Sequence, residues 1–151
     1  MSEQSDALRP GEKAVDAPEA TDATLRFIGR IETPWKTRGD CPHHGDPEGP
    51  LCRLIVDALW AEALTGIERH SHLQVLYWMD QARRDLVLLS PRSRNEPTGT
   101  FSLRAPTRQN PIASSIVALV ERQGPVVLVR GLDCIDGTPL LDIKSWKGAH
   151  S

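Results

Sequence analysis

Two arginines lie within a proline-rich segment, residues 99–112, and their side chains could bind an anion. Pro106 and Pro111 restrict their own backbone and push the residue before each of them towards an extended conformation. Arg104 and Arg108 therefore lie on a chain with few conformations, and a guanidinium held in this way suits a carboxylate or a phosphate. A surface turn with solvated arginines has the same composition, so this segment alone leaves both interpretations open.

A second segment, residues 131–144, predicts a turn that could contact a ligand. Asp136 and Gly137 are followed by Thr138 and a proline, and apolar runs lie on both sides. A glycine at this place supplies the turn and could expose backbone N–H groups to a ligand. A plain hairpin turn capped by Asp136 would have the same sequence.

A third segment contains side chains of the kinds that bind zinc. Cys41, His43 and His44 lie close together, and Cys52 follows. The spacing does not match a zinc site, because there is no paired Cys-x-x-Cys and Cys52 lies within a predicted strand. We therefore predict no metal site here, which leaves a solvated loop or a cofactor-binding loop.

Four segments, in this order and with this spacing, resemble those of the TsaA-like family, also named TrmO. The segments are residues 28–35 (Ile-Gly-Arg-Ile-Glu-Thr-Pro-Trp), 66–73 (Gly-Ile-Glu-Arg-His-Ser-His-Leu), 99–112 and 131–144. The resemblance runs from about Phe27 to Trp146. Members of this family are small β-barrel methyltransferases that use S-adenosylmethionine and act on the anticodon loop of tRNA. The resemblance implies this fold, this cofactor and this RNA partner.

The resemblance also implies which residues bind S-adenosylmethionine. They lie in four places along the chain: Pro42, His43 and His44; Asp80 and Gln81; Arg104; and Ile135, Asp136, Gly137 and Thr138. His43 and His44 replace an arginine and a glutamine of the family pattern, and Asp80 stands where the family often has histidine. Arg104 matches the arginine of the family's Thr-Arg-Ser-Pro, and a zwitterionic cofactor needs a fixed cation for its carboxylate.

For the reaction, the resemblance implies methyl transfer to the N6 nitrogen of threonylcarbamoyladenosine at position 37 of tRNA. This nitrogen lies between a purine and a carbonyl, so its proton is acidic enough for a carboxylate, Asp133 or Asp136, to remove it. Alignment of the nitrogen, methyl and sulfur is then the main task of the enzyme. The implied substrate contacts are Arg108, Asn110, Lys144 and Trp146. The aromatic ring of Trp146 could stack on a base.

The arginine segment departs from the family pattern at two positions. Gln109 stands in place of a proline, and we expect this change to loosen the loop. Ala113 stands in place of a glycine and excludes a backbone conformation with positive φ.

Two other functions fit the same residues. One is methylation of a small molecule, which weak basicity favours: residues 1–23 carry a net charge of −4, so the rest of a chain with net charge −2 carries only +2. The other is a non-catalytic module that binds S-adenosylmethionine or RNA. Because a domain with a charge of +2 offers RNA few contacts, we expect a homodimer that presents two loops.

Residues 1–23 predict a disordered acidic tail, because six acidic residues accompany two basic ones and there is no aromatic residue or periodic apolar face. Residues 24–147 are then expected to form a single methyltransferase domain. No run approaches the length of a membrane span, and the N-terminus lacks the order of a signal peptide. We therefore predict a soluble, cytoplasmic protein that does not bind membranes. Three cysteines with irregular spacing match no disulfide framework.

The elements that must position these residues are predicted to be short strands. The predicted strands are residues 25–31, 51–56, 73–79, 85–89, 114–122, 126–130 and 140–144, and residues 57–64 can form a short helix. This pattern favours a mostly β, antiparallel barrel or sandwich, since the crossover helices of a parallel sheet are absent. No Gly-x-Gly-x-x-Gly follows the first strand, which argues against the usual dinucleotide fold. The resemblance narrows the prediction to a small antiparallel β-barrel with one short helix and long ligand-binding loops.

Overall fold

The structure, a computed structural model, describes residues 7–91 and 96–148. The described residues divide into two compact units. The first unit takes its residues from the ranges 1–24 and 79–112. The second, which we call the barrel unit, takes its residues from the ranges 25–78 and 113–151.

Short strands dominate the secondary structure of the described residues. The strands are β1 (Lys13–Ala14), β2 (Gly29–Glu32), β3 (Cys52–Val56), β4 (His72–Trp78), β5 (Leu86–Leu89), β6 (Thr98–Gly99), β7 (Ile112–Gln123), β8 (Val126–Arg130) and β9 (Thr138–Trp146). The helical segments in the same residues are 3-10 helices: Arg38–Asp40, Ala58–Leu64, Ile67–Arg69 and Thr100–Ser102. None of these helices has the length and apolar character needed to cross a membrane.

Six strands close into a barrel in the order β2-β3-β8-β7-β4-β9. Side chains of a strand alternate between its two faces, so Cys52, Leu54 and Val56 of β3 are buried. The interior is filled mainly by branched aliphatic side chains, including Ile31, Leu73, Val75, Val117, Val127, Val129 and Leu140. Closure of the sheet removes its open edges. The predicted small antiparallel barrel is confirmed.

Two predicted strands of the barrel differ from the structure in their bounds more than the others do. The first, residues 25–31, is present only as Gly29–Glu32, and Leu25 and Phe27 before it are exposed. The last, residues 140–144, extends over Thr138–Trp146. It is longer because it pairs with β2 at its start and with β4 along the rest of its length, and neither partner is adjacent in sequence.

The predicted helix at residues 57–64 is present as a 3-10 segment rather than an α-helix. Its bounds are Ala58–Leu64, and the N–H of Thr65 donates to Glu62 O at 3.1 Å. Gly66 follows with φ of +86°, a conformation that favours glycine and ends the segment.

The first unit contains a three-stranded sheet in the order β1-β5-β6. Its strand β1 lies within residues 1–23, the predicted disordered tail, and pairs with β5. Polar contacts reinforce this pairing: the N–H of Ser90 donates to Glu12 Oε2 (2.9 Å), and its hydroxyl donates to Pro10 O (2.7 Å). A strand of two residues has no periodic pattern, so composition does not reveal it. The domain boundary at residue 24 stays a prediction.

Candidate functional site

The predicted turn at Asp136 and Gly137 is present in the barrel unit. Ile135 O accepts hydrogen bonds from the backbone N–H of Thr138 (3.2 Å) and from its hydroxyl (2.6 Å), which closes the turn. Gly137 has φ of +88°, a backbone conformation that favours glycine. Its N–H donates to Ile31 O at 2.7 Å. The expectation that this N–H is exposed to a ligand is wrong, because it is hydrogen-bonded to a carbonyl oxygen of β2.

Asp136 fixes this turn to the segment that follows β2. Its N–H donates to Trp35 O at 2.7 Å. Its carboxylate accepts from the N–H of Thr33 at Oδ1 (3.0 Å) and from Lys36 Nζ at Oδ2 (2.6 Å). The hydrogen bond from Lys36 is the main reason why the pKa of Asp136 is lowered, and the bond from Thr33 acts in the same direction. Both carboxylate oxygens are therefore engaged by the protein itself.

Asp133 accepts a hydrogen bond from a buried tyrosine. The hydroxyl oxygen of Tyr77 lies 2.9 Å from Asp133 Oδ1 and 2.6 Å from Ser115 Oγ. Tyr77 is 2% exposed, and burial, followed by the charge of Asp133, raises its pKa above the ordinary value. Tyr77 therefore stays protonated and donates to Asp133, so Ser115 is the donor to Tyr77. The half-buried Asp133 has no hydrogen bond at Oδ2 from any residue in the described part of the chain.

The loop of residues 41–50 lies against the chain that leads to Asp133. A Cβ atom built on Gly45 would overlap the carbonyl oxygen of Gly131, so this close approach requires glycine. Arg130 Nη1 donates to a carbonyl oxygen of the same loop at 2.7 Å. These contacts hold the loop beside the turn segment.

Three predicted cofactor residues, Pro42, His43 and His44, are exposed on this loop. The preceding residue is Cys41, whose pKa is raised first by burial and then by the charge of Asp133. The close approach of Gly45 to the carbonyl of Gly131, two residues before Asp133, is the geometric counterpart of this effect. The structure therefore brings this loop and Asp133 to the same part of the barrel unit.

The cysteines of the chain are free thiols. Cys52 and Cys134 are each 1% exposed, and burial raises the pKa of Cys52 to about 11 and that of Cys134 to about 12. Within residues 7–91 and 96–148, no group of three or more His, Cys, Asp or Glu side chains could hold a metal ion.

The two arginines of the proline-rich segment, in the first unit, have different surroundings. Arg108 Nη1 donates to Leu103 O (2.9 Å) and to Ala105 O (3.0 Å). Arg104 is exposed and has no hydrogen-bond or ion-pair partner among the described residues. Arg108 thus shapes the loop, whereas the guanidinium of Arg104 is available to an anion.

Sequence reasoning missed the side chains that hold the end of this segment. Arg84 donates to Gln109 O (2.7 Å) and to Asn110 Oδ1 (3.3 Å). Gln109 Nε2 donates to Leu86 O (2.6 Å), and its amide oxygen lies 3.5 Å from the hydroxyl of Thr100. The expectation that Gln109 loosens the loop is wrong, because its side chain ties the loop to β5. No sequence signal marks Arg84, since its partners lie 25 and 26 residues away.

Asp80 and Gln81 are exposed in a turn of the first unit. The N–H of Ala82 donates to Met79 O (3.0 Å) and closes this turn. The N–H of Met79 donates to Pro111 O at 2.9 Å. The structure thus brings both predicted cofactor residues beside the end of the proline-rich segment.

Lys144 and Trp146, the predicted substrate contacts on β9, lie away from Asp133. Trp146 pairs with the first residue of β4, whereas Tyr77, the hydrogen-bond partner of Asp133, pairs with Leu140. A strand rises by about 3.3 Å per residue, so the stretch from Leu140 to Trp146 spans about 20 Å. The structure does not bring these two side chains to the carboxylate.

Comparison with known proteins identifies the family. The family model described as tRNA-methyltransferase O N-terminal domain matches residues 30–149. A protein of Rhizobium radiobacter named probable S-adenosyl-L-methionine-binding protein VirR is 54% identical over 140 residues, which cover 93% of this chain and 80% of that protein. The mouse tRNA (adenine(37)-N6)-methyltransferase is 36% identical over 87 residues, which cover 56% of this chain and 20% of that protein.

The fold agrees with a solved structure. The crystal structure of TrmO from Pseudomonas aeruginosa matches this chain with a TM-score of 0.68 and 29% identity. The match covers 85% of this chain and 56% of that chain, so this chain spans little more than half of the length of the solved protein. Since the family model covers most of the residues and the barrel matches a solved member, this chain belongs to the TrmO family.

Proposed function

We propose that this chain is an S-adenosylmethionine-dependent methyltransferase that methylates the N6 nitrogen of threonylcarbamoyladenosine at position 37 of tRNA. The observation that carries this proposal is the family match over residues 30–149. Two relatives support it by their names: the mouse protein is a tRNA (adenine(37)-N6)-methyltransferase, and the R. radiobacter protein is a probable S-adenosyl-L-methionine-binding protein.

Asp133 is the proposed acceptor of the proton that the N6 nitrogen loses. S-adenosylmethionine supplies the methyl group when it is bound. The hydroxyl of Tyr77 fixes Asp133 through Oδ1, which leaves Oδ2 to take a proton. Both carboxylate oxygens of Asp136 accept hydrogen bonds from the protein, and its pKa is lowered, so we propose that Asp136 stabilises the turn.

The residues proposed to bind S-adenosylmethionine offer chemistry that suits a zwitterion. In the barrel unit they are Pro42, His43 and His44 of the loop and Ile135, Asp136, Gly137 and Thr138 of the turn. In the first unit they are Asp80, Gln81 and Arg104. The exposed guanidinium of Arg104 fits a carboxylate, because charge-assisted hydrogen bonds of this kind are strong and directional.

For the RNA, the proposed contact is the anticodon loop, where position 37 lies. Lys144 and Trp146 are proposed to contact the RNA away from the reacting base, whereas Arg108 and Asn110 support the binding loop from within. The residues after 23 carry a charge of only +2, which supports a homodimer that doubles the number of cations facing the RNA. A tRNA substrate also supports action in the cytoplasm.

The decisive experiment supplies the protein with labelled S-adenosylmethionine and with tRNA that carries or lacks the threonylcarbamoyl group. We expect label in the modified tRNA only. Label in neither tRNA would exclude this substrate. Affinity for S-adenosylmethionine without transfer to any RNA would instead favour the non-catalytic binding module.

Two variants test the assigned residues separately. Asp133→Asn keeps the size of the side chain and should lower the transfer rate by about 10²- to 10⁴-fold, with unchanged affinity for S-adenosylmethionine. Arg104→Ala should weaken that affinity in calorimetry, and Arg53→Ala, which removes an exposed arginine of β3, serves as its control. Equal affinities of these two arginine variants would refute the assignment of Arg104.

A further inference from the structure

Phe101, in the first unit, has its side chain in water. It is 84% exposed, the highest value among the large hydrophobic residues that the structure describes as exposed. Burial of a phenylalanine stabilises a fold, so an exposed ring contributes little to this one. The position of Phe101 therefore calls for an explanation other than packing within the chain.

The backbone under this ring is firmly held. Phe101 is the middle residue of the 3-10 segment Thr100–Ser102, whose first carbonyl accepts from the N–H of Leu103 at 3.2 Å. Thr100 is buried, and Gln109 connects this part of the loop to β5 through Leu86 O at 2.6 Å. A ring presented by an ordered backbone loses little conformational entropy when it binds a partner.

The sequence that surrounds Phe101 carries basic but no acidic side chains. Residues 97–120 contain no aspartate or glutamate, although the whole chain has more acidic than basic residues. The loop contains Arg104 and Arg108, and Arg84 donates to its backbone at 2.7 Å. An exposed aromatic ring on a loop that carries arginines and no acidic residue is a combination that proteins use for unpaired bases of RNA.

We infer that Phe101 is a stacking platform for an unpaired base of the RNA substrate. This inference rests on the proposed function for the identity of the RNA, and it adds a substrate-positioning residue that the methyl-transfer chemistry does not require. The ring would bind through its face, so it would orient the loop of the RNA without selecting one particular base.

The test measures binding of a stem-loop RNA with the anticodon-loop sequence by fluorescence anisotropy. Phe101→Ala should weaken binding by about 5- to 150-fold, the range of one base-stacking contact. Phe101→Trp keeps an aromatic face and should bind like the unsubstituted protein. Leu59→Ala removes another strongly exposed apolar side chain, 77% exposed and in the barrel unit, and should leave binding unchanged.

RNAs in which each loop base in turn is replaced by an abasic nucleotide identify the stacked base. At that position the unsubstituted protein should lose affinity, while Phe101→Ala should lose none, because the contact is already absent. Equal RNA affinity of Phe101→Ala and the unsubstituted protein would overturn the inference. The inference would also fail if Phe101→Ala lost as much affinity for S-adenosylmethionine as for RNA, because the ring would then serve the cofactor. A change in the oligomeric state of Phe101→Ala would likewise overturn it, because the ring would then contact a second copy of the chain.

The outcomes also separate this inference from the proposed function. If the unsubstituted protein methylates tRNA and Phe101→Ala does so with the same KM, only the role of Phe101 is wrong. If the unsubstituted protein neither binds nor methylates tRNA, the proposed function fails and the stacking role fails with it.

Discussion

Replacement of Asp136 by alanine or by asparagine separates two contributions of its carboxylate. Alanine removes the acceptor of both the Thr33 N–H and the Lys36 ammonium group. Asparagine keeps an oxygen that can accept from Thr33 but removes the negative charge that faces Lys36. The two variants therefore distinguish the hydrogen bond from the ion pair.

The surroundings of the two donors set the expected size of each effect. Thr33 is 5% exposed, so an N–H left without its acceptor there costs about 1–3 kcal/mol. The side chain of Lys36 is 71% exposed, and a solvated ion pair of this kind contributes about 0–1 kcal/mol. We expect the free energy of unfolding to fall by about 1–3 kcal/mol or slightly more in Asp136→Ala, but by less than about 1 kcal/mol in Asp136→Asn.

The same carboxylate makes stability depend on pH in a defined direction. Its pKa in the folded chain is lowered from the ordinary value of 3.8, chiefly by Lys36. A carboxyl with a lowered pKa stabilises the folded state at pH values above its unfolded pKa, and this contribution is lost as the pH falls through the folded pKa. Asp136→Asn should therefore lose less stability on acidification below about pH 4 than the unsubstituted protein.

Urea denaturation followed by tryptophan fluorescence measures these differences, and the methyl-transfer assay adds a functional readout. At saturating S-adenosylmethionine, Asp136→Asn should transfer methyl groups almost as fast as the unsubstituted protein, because Asp133 is the assigned proton acceptor. Equal destabilisation by asparagine and alanine would refute the separation of the two contributions. A loss of transfer as large as that of Asp133→Asn would refute the assignment of the base.

Other changes test the packing of the barrel unit. Leu54→Ala at a fully buried position should lower the free energy of unfolding by about 2–5 kcal/mol in urea, and a loss below about 1 kcal/mol would contradict its place in the core. Gly45→Ala should lower the melting temperature and weaken binding of S-adenosylmethionine, because its Cβ would overlap the carbonyl of Gly131; unchanged values of both would contradict the close approach. A thiol reagent should modify Cys41 in the folded protein and the two buried cysteines only in denaturant. Modification of all three before unfolding would contradict their burial.

The barrel could be predicted because the alternation of buried and exposed side chains along its strands is visible in short stretches of sequence. In β3, Leu54 and Val56 alternate with Arg53 and Ile55, so the residues that fill the interior can be read directly. Strand β1 could not be predicted in this way, since its two residues carry no periodicity and depend on β5, which is distant in sequence. The predicted start of the first barrel strand was wrong for a related reason. The apolar run includes Leu25 and Phe27, although no strand in the described part of the chain pairs with them.

The candidate site was only partly predictable, because hydrogen-bond partners depend on which distant segments meet. The turn at Gly137 followed from its local sequence, but the use of its N–H by Ile31 did not. Arg108 has a side chain of the kind that binds anions, yet its Nη1 donates hydrogen bonds to the carbonyl oxygens of Leu103 and Ala105. Gln109 was expected to loosen a loop that its side chain in fact secures.

Asp133 and Asp136 show how folding gives different roles to two residues that sequence treats alike. Both are acids within one turn segment, and either could remove a proton. Both carboxylate oxygens of Asp136 accept hydrogen bonds from the protein, which reduces the tendency of this carboxylate to accept a proton. Within the described residues, Asp133 accepts a hydrogen bond from Tyr77 at Oδ1 only, so that its Oδ2 remains available. The hydroxyl of Thr33 donates to the carbonyl oxygen of Cys134 at 2.8 Å, between the two acids. Asp136 therefore fixes the backbone from which Asp133 projects, and only Asp133 is proposed to accept the proton.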